Sequence, residues 1–206
     1  RCRDARVVVA GGMESMSQAP YYLPRARRGY RMGDAKIVDG MIHDGLLDVV
    51  NKYLMGYTAE LISEKYGISR QEQDSFALRS NNLALAAQRE GRLCAEILPV
   101  PVLQTGGDPV EFAEDEGPRQ TSMEELAGLP AVFKENGVVT AGNSSRISDG
   151  ASALVLMSAE RARELNVRPL LRVRDQACAG VDLPDVLIAP SRSIPKLLHR
   201  AGLTED

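Results

Sequence analysis

The chain has 206 residues, 44% of them hydrophobic, with 25 Lys and Arg against 28 Asp and Glu. That size and balance allow one or two globular domains, and the net charge of −3 supplies no overall positive field for a nucleic-acid backbone. Three cysteines (Cys2, Cys94, Cys178) without metal-ligand spacing argue against a secreted disulfide framework, and no apolar run approaches the roughly 20 residues of a membrane span, so a cytoplasmic location is expected.

Arg6–Ala10 is a short β-branched run before Gly11 and Gly12, the pattern of a buried strand whose tip bends at the glycines. It follows the first residue so closely that a preceding element is expected upstream. Residues 17–56 are rich in Pro, Gly, Arg and Tyr, with short periodic pieces such as Met41–Val50, and read as loop-dominated with one helix. Arg25, Arg27, Arg28 and Arg31 form a basic loop there, which reads as a solvated loop or as an anion or subunit contact.

A helix is expected from Thr58 to Tyr66 with Gly67 behind it, and a second from Ser69 to Glu90, because Ser69 and Glu72 have the S-x-x-E spacing of a capping box. Leu78, Leu83, Ala86 and Ala87 are expected on one face of the second helix, with Gly91 ending it. Glu96–Val102 reads as an edge strand because of Pro99 and Pro101, followed by a polar stretch from Gln104 to Gln120. Val138–Thr140 is strand-like and precedes a turn of small residues, Ala141–Ser145, which suits a ligand. Ala151–Met157 predicts a buried strand, Ser158 the cap of a helix over Ala159–Leu165, and Leu170–Val173 a further strand. Ser193–Arg200 predicts a helix closed by Gly202. Alternating strands and helices in the last third indicate α/β layers.

A search for chemistry by residue type and spacing finds little. Neither His43 nor His199 has a motif pairing it with a cysteine, as nucleophilic catalysis requires. Cys94 and Cys178 read as structural thiols. There is no H-E-x-x-H, no paired C-x-x-C, and neither Gly11–Gly12 nor Gly106–Gly107 fits a phosphate loop or a dinucleotide fingerprint.

The specific signal lies in five ordered segments: VVVAGGMESMS at residues 7–17, RMGDAKIVDGMIHDGL at 31–46, MGYTAE at 55–60, GISRQEQDSFALRS at 67–80 and VTAGNSSRISDGAS at 139–152. In wording, order and spacing these resemble thiolases, and together they cover nearly the whole chain. The resemblance implies a layered α/β fold, here partial, with an inserted loop domain. Residues 1–16 correspond to the end of the N-terminal half, 17–147 to the loop domain, 148–166 to the return to that half, and 167–206 to the start of the C-terminal half.

It implies an acyltransferase that condenses or thiolytically cleaves 3-ketoacyl-coenzyme A, with coenzyme A as substrate and no separate cofactor or metal. The loop domain of this family binds coenzyme A. Residue by residue, Ser145 would hydrogen-bond the pantetheine amide, Ala141 would line the same channel, and Phe133 would flank the pantetheine. Arg119 and Asn81 would lie near the nucleotide, and Met55 at the acyl end. Leu54, where some members carry histidine, and Val186–Pro190, in place of a glycine-containing stretch, depart from the pattern. No catalytic residue is expected within the chain: the nucleophilic cysteine would precede residue 1, and the second cysteine and the histidine would follow residue 206. Partners implied are acyl-coenzyme A, coenzyme A and further copies of the chain as a dimer or tetramer, with neither nucleic acid nor membrane. The alternative is a non-catalytic coenzyme A-binding or oligomerisation module of the same descent.

Overall fold

Backbone pairing between segments more than 130 residues apart is the first fact of this fold. In the computed structural model, residues 4–204 are described. The elements in chain order are β1 (Val7–Ser15), β2 (Tyr21–Tyr22), β3 (Val38–Asp39), β4 (Leu47–Asp48), β5 (Tyr53–Leu54), α1 (Met55–Tyr66), α2 (Arg70–Arg89), β6 (Val100–Val102), β7 (Val110–Phe112), α3 (Met123–Ala127), β8 (Asp149–Met157), α4 (Ala159–Glu164) and α5 (Ala189–Ala201). β1 and β8 run antiparallel in continuous register, from Val7 opposite Met157 to Ser15 opposite Asp149. The other strands form three short antiparallel pairs, β2 with β3, β4 with β5 and β6 with β7. Among the described residues no helix is long and apolar enough to cross a membrane.

Gly11 and Gly12 do not end the first strand, contrary to the sequence expectation. β1 passes through both, because Gly11 lets the strands approach closely: a Cβ there would sit 2.3 Å from the carbonyl oxygen of Ser152. The ladder is closed at its far end by Ser17, whose N–H donates to Asp149 Oδ1 at 2.9 Å and whose hydroxyl donates to Asp149 Oδ2. These bonds, the hydroxyl's first, hold the Asp149 carboxyl below its ordinary pKa.

Other expectations also need correction. The apolar run of β8 reads as a strand buried on both faces, but most of it is exposed, since β1 is its only strand partner among the described residues. Leu170–Val173 is not a strand. It finds no ladder partner, and Leu170 and Leu171 are almost wholly exposed. Of Glu96–Val102, only Val100–Val102 is extended and paired, with a partner inside the polar stretch at Val110–Phe112. Val138–Thr140 makes only an isolated bridge, Ala131 to Thr140.

The helix boundaries follow their local chemistry. α2 starts at a full capping box, the Ser69 hydroxyl accepting from Glu72 N–H while Glu72 accepts from Ser69 N–H. The chain turns out of α1 at Gly67 and out of α2 at Gly91, both at φ +65°. α3 repeats the box with Ser122 and Glu125, and Ser158 caps α4. Leu83 leaves the expected apolar face and is exposed. It lies five residues beyond Leu78, about 140° around the helix, whereas positions seven apart return to within about 20°. Leu78 and Leu85 are half-buried on the side of α2 that also carries Asp74, Asn81 and Gln88, buried or half-buried.

Contacts divide the chain into two compact units, Arg1–Thr58 with Ile147–Asp206, and Ala59–Arg146. The first holds the β1–β8 ladder and α5. The second holds most of α1, together with α2, α3 and the β6–β7 pair. Its interior is unusual for its polar content: beside Ile62, Leu126 and Val139 lie the deeply buried Glu60, Asp74 and Thr140.

Candidate functional site

Small residues at 137–145 allow the chain to pass close to two helices. A Cβ on Gly137 would lie 2.3 Å from Glu60 Oε1, and one on Gly142 would lie 2.5 Å from Leu126 Cδ2 and 2.6 Å from Leu129 Cδ1. With glycine at both places the segment fits between α1, α2 and the end of α3.

Burial of so many polar groups is tolerated because each is matched. From α1, the Glu60 carboxylate accepts Val138 N–H (2.9 Å to Oε2, 3.1 Å to Oε1) and Val139 N–H (2.8 Å to Oε1). From α2, Asp74 accepts the Arg70 guanidinium at 2.7 Å through Oδ2 and the Asn143 amide at 2.9 Å through Oδ1. Asn143 also donates to the carbonyl of Val138 (3.0 Å) and accepts Thr140 N–H (2.7 Å). Thr140 Oγ1 accepts Gly142 N–H at 3.2 Å, and the Ser144 hydroxyl donates to the Thr140 carbonyl at 2.6 Å. Arg70 reaches on to the carbonyls of Leu126 and Leu129. The turn is therefore bonded to α1 and α2, and α2 in turn to the end of α3, through side chains that donate or accept in fixed directions.

Ala141 and Ser145 sit at the solvent side of this turn, both exposed, while Gly142, Asn143 and Ser144 between them are half-buried. Phe133 is half-buried in the strand-like approach, one residue beyond Val132, whose N–H donates to the Val139 carbonyl. Asn81 and Arg119 are brought together: Asn81 Oδ1 accepts the backbone N–H of Arg119 at 3.1 Å, and its amide donates to the Ala77 carbonyl at 3.0 Å. Asn81 thus holds the backbone of the loop while the Arg119 side chain remains exposed. Met55 is the half-buried first residue of α1 and belongs to the other unit.

Sequence reasoning passed over Glu60, Asp74, Thr140 and Asn143. Glu60 and Asp74 look like ordinary helix-surface carboxylates by residue type. The available signal was Asp74, four residues after Arg70 and seven before Asn81 on one helix face. Cys94 and Cys178 are free and exposed, and Cys2 lies outside the described residues. His43 is engaged with Asp44, with Nδ1 at 2.7 Å from Oδ1. No group of three or more His, Cys, Asp or Glu among the described residues is arranged to hold a metal ion.

A sequence profile for the thiolase N-terminal domain matches residues 1–160, and the chain belongs to the thiolase family. Within it, the chain is 50% identical over 203 residues to an acetyl-CoA acetyltransferase of Pseudomonas aeruginosa, covering 98% of this chain and 52% of that protein. It is 49% identical over 202 residues to the acetyl-CoA acetyltransferase of Cupriavidus necator, covering 98% and 51%. Among solved structures, the acetyl-CoA acetyltransferase of Syntrophomonas wolfei superposes with a TM-score of 0.89 at 42% identity, over 97% of this chain and 50% of that one. That of Bacillus anthracis gives 0.91 at 41% identity, over 98% and 51%. The fold is a partial thiolase-like α/β fold, and the chain spans about half the length of the curated relatives it matches.

Proposed function

We propose that these residues are part of an acyltransferase that condenses or thiolytically cleaves 3-ketoacyl-coenzyme A, and that their share of the work is to hold coenzyme A. One observation carries the reading: near 50% identity along almost the whole chain to proteins named acetyl-CoA acetyltransferase. The turn at 137–145 supports it, because a rigid turn of small residues admits a narrow ligand to the backbone and leaves a few polar anchors facing it. In this reading Ser145 hydrogen-bonds the pantetheine amide, Ala141 and Phe133 flank the pantetheine, Arg119 and Asn81 lie by the nucleotide, and Met55 lies at the acyl end. Residues 17–147 act as the loop domain, 1–16 and 148–166 as part of the N-terminal half, and 167–206 as the start of the C-terminal half. The nucleophilic cysteine and the histidine of the reaction come from outside residues 1–206. The assembly is a cytoplasmic dimer or tetramer, with acyl-coenzyme A and coenzyme A as its small-molecule partners.

Calorimetric titration of the 206-residue chain with coenzyme A tests this. Binding is expected, and Ser145→Ala should weaken it about fivefold to tenfold, the worth of one hydrogen bond. Thiolysis of acetoacetyl-coenzyme A by the same chain should be undetectable. Robust turnover would mean that the nucleophile lies within these residues.

A further inference from the structure

We propose that Glu60 is a positioning residue for the coenzyme A-holding turn, setting the place of Ala141 and Ser145 through the backbone it grips; this rests on the function proposed above. The geometry carries the inference. Glu60 is 1% exposed, and its carboxylate is spent on the N–H groups of two consecutive residues, Val138 and Val139. Capturing adjacent N–H groups fixes the orientation of the peptide between them as well as its position. From there the path to the ligand face is short and fully bonded: Val138 carbonyl to Asn143, Asn143 to Thr140 N–H, Thr140 carbonyl to Ser144. Ser145 follows directly.

A role in packing alone fits poorly. A buried carboxylate is expensive to desolvate, and apolar residues of similar volume commonly stabilise a core as well or better. What an apolar residue lacks is direction. Gly137 shows the same demand from the other side, since a Cβ there would meet both oxygens of Glu60, at 2.3 and 2.9 Å. Carboxylate and glycine together bring the backbone to a distance that neither would permit with an ordinary neighbour.

The test compares two ligands and one exchange measurement in the 206-residue chain. Coenzyme A carries the pantetheine arm; adenosine 3′,5′-bisphosphate does not. Glu60→Gln preserves volume but replaces one acceptor oxygen with an NH2 that faces backbone donors. It should weaken coenzyme A binding about tenfold, on the scale of one well-made hydrogen bond, and leave the bisphosphate within about twofold. Amide exchange should quicken at Val138, Val139 and Ala141–Ser145. Gly137→Ala, which leaves Glu60 in place but forces its carboxylate away, should give the same signature. Glu64→Gln, one turn further along α1 at an exposed ion pair with Lys134, should change neither affinity. Coenzyme A affinity unchanged in Glu60→Gln overturns the positioning role alone. Equal loss of both ligands in Glu60→Gln and Gly137→Ala makes Glu60 a packing residue and overturns it as well. A wild-type chain that binds neither ligand overturns the coenzyme A reading, and the positioning role with it.

Discussion

Asp44 illustrates how a single exposed carboxylate records its neighbours. His43 donates to its Oδ1 at 2.7 Å and the Tyr22 hydroxyl donates to its Oδ2 at 2.5 Å. The His43 bond, then the Tyr22 bond, holds the Asp44 carboxyl below its ordinary pKa, while the same contact with Asp44 raises that of Tyr22. A depressed acid stabilises the fold fully above its unfolded value of about 3.9 and loses that contribution as the pH falls through the lower folded value. Tyr22 has the opposite sign: its contribution is complete below about pH 10 and is lost as the pH rises through the raised folded value. An NMR titration of side-chain carboxyl carbons should therefore place the Asp44 midpoint below about 3.9, and His43→Ala should move it upward. An unmoved midpoint in that variant would remove His43 as the principal cause. The Tyr22 contact was not readable from spacing, because Tyr22 and Asp44 are 22 residues apart.

The ends of α2 and the C-terminal end of α1, by contrast, were legible almost to the residue, whereas α1 starts at Met55 rather than Thr58 and α5 at Ala189 rather than Ser193. Ser69, Glu72, Gly67 and Gly91 act through backbone groups within a few positions of themselves, so their sequence carries the whole mechanism. Removing the Ser69 hydroxyl by Ser69→Ala should cost about 1 kcal/mol, seen as a lower urea midpoint with an unchanged slope; an unaltered midpoint would show the box to be redundant. The face of the same helix was misread. Leu83, expected on the apolar face with Leu78, is exposed, and the inward side also carries the polar Asp74, Asn81 and Gln88. Their partners are Asn143, the Arg119 N–H and the Asp115 carbonyl. An apolar periodicity search has no means of seeing a polar seam of this kind, and so the clamp around Glu60 and Asp74 escaped while the turn of small residues beside it was found.

Across the molecule the two units differ in how they satisfy their surfaces. Ala59–Arg146 closes around its own buried polar network, whereas β1 and β8 pair only with each other among the described residues and leave Val9, Leu154 and Val155 more than 60% exposed. Two strands alone are marginal, and open edges with apolar faces invite association. Val9 and Val155 are direct cross-strand partners, so the double change Val9→Thr with Val155→Thr should reduce self-association of the 206-residue chain in sedimentation velocity. An unchanged distribution would place the sticky surface elsewhere. The pairing of β1 with β8 was itself hidden in the sequence, because two apolar runs announce strands without announcing each other; periodicity indicated α/β layers, and the family resemblance, carried by ordered motifs, supplied the particular fold.

The polar seam of α2 has a consequence for how this protein can vary in length. Its rungs stand seven residues apart, about 10.5 Å along the axis, and each fastens a different stretch of chain: 143, 119 and 115. One residue inserted between Asp74 and Gln88 would turn every later rung by about 100° and advance it about 1.5 Å, unfastening the loops beyond it. The link from β6 to β7, residues 103–109, is exposed throughout and bears no such rung. α2 is a ruler whose graduations cannot be respaced, and the freedom to grow or shrink is left to the loops it measures.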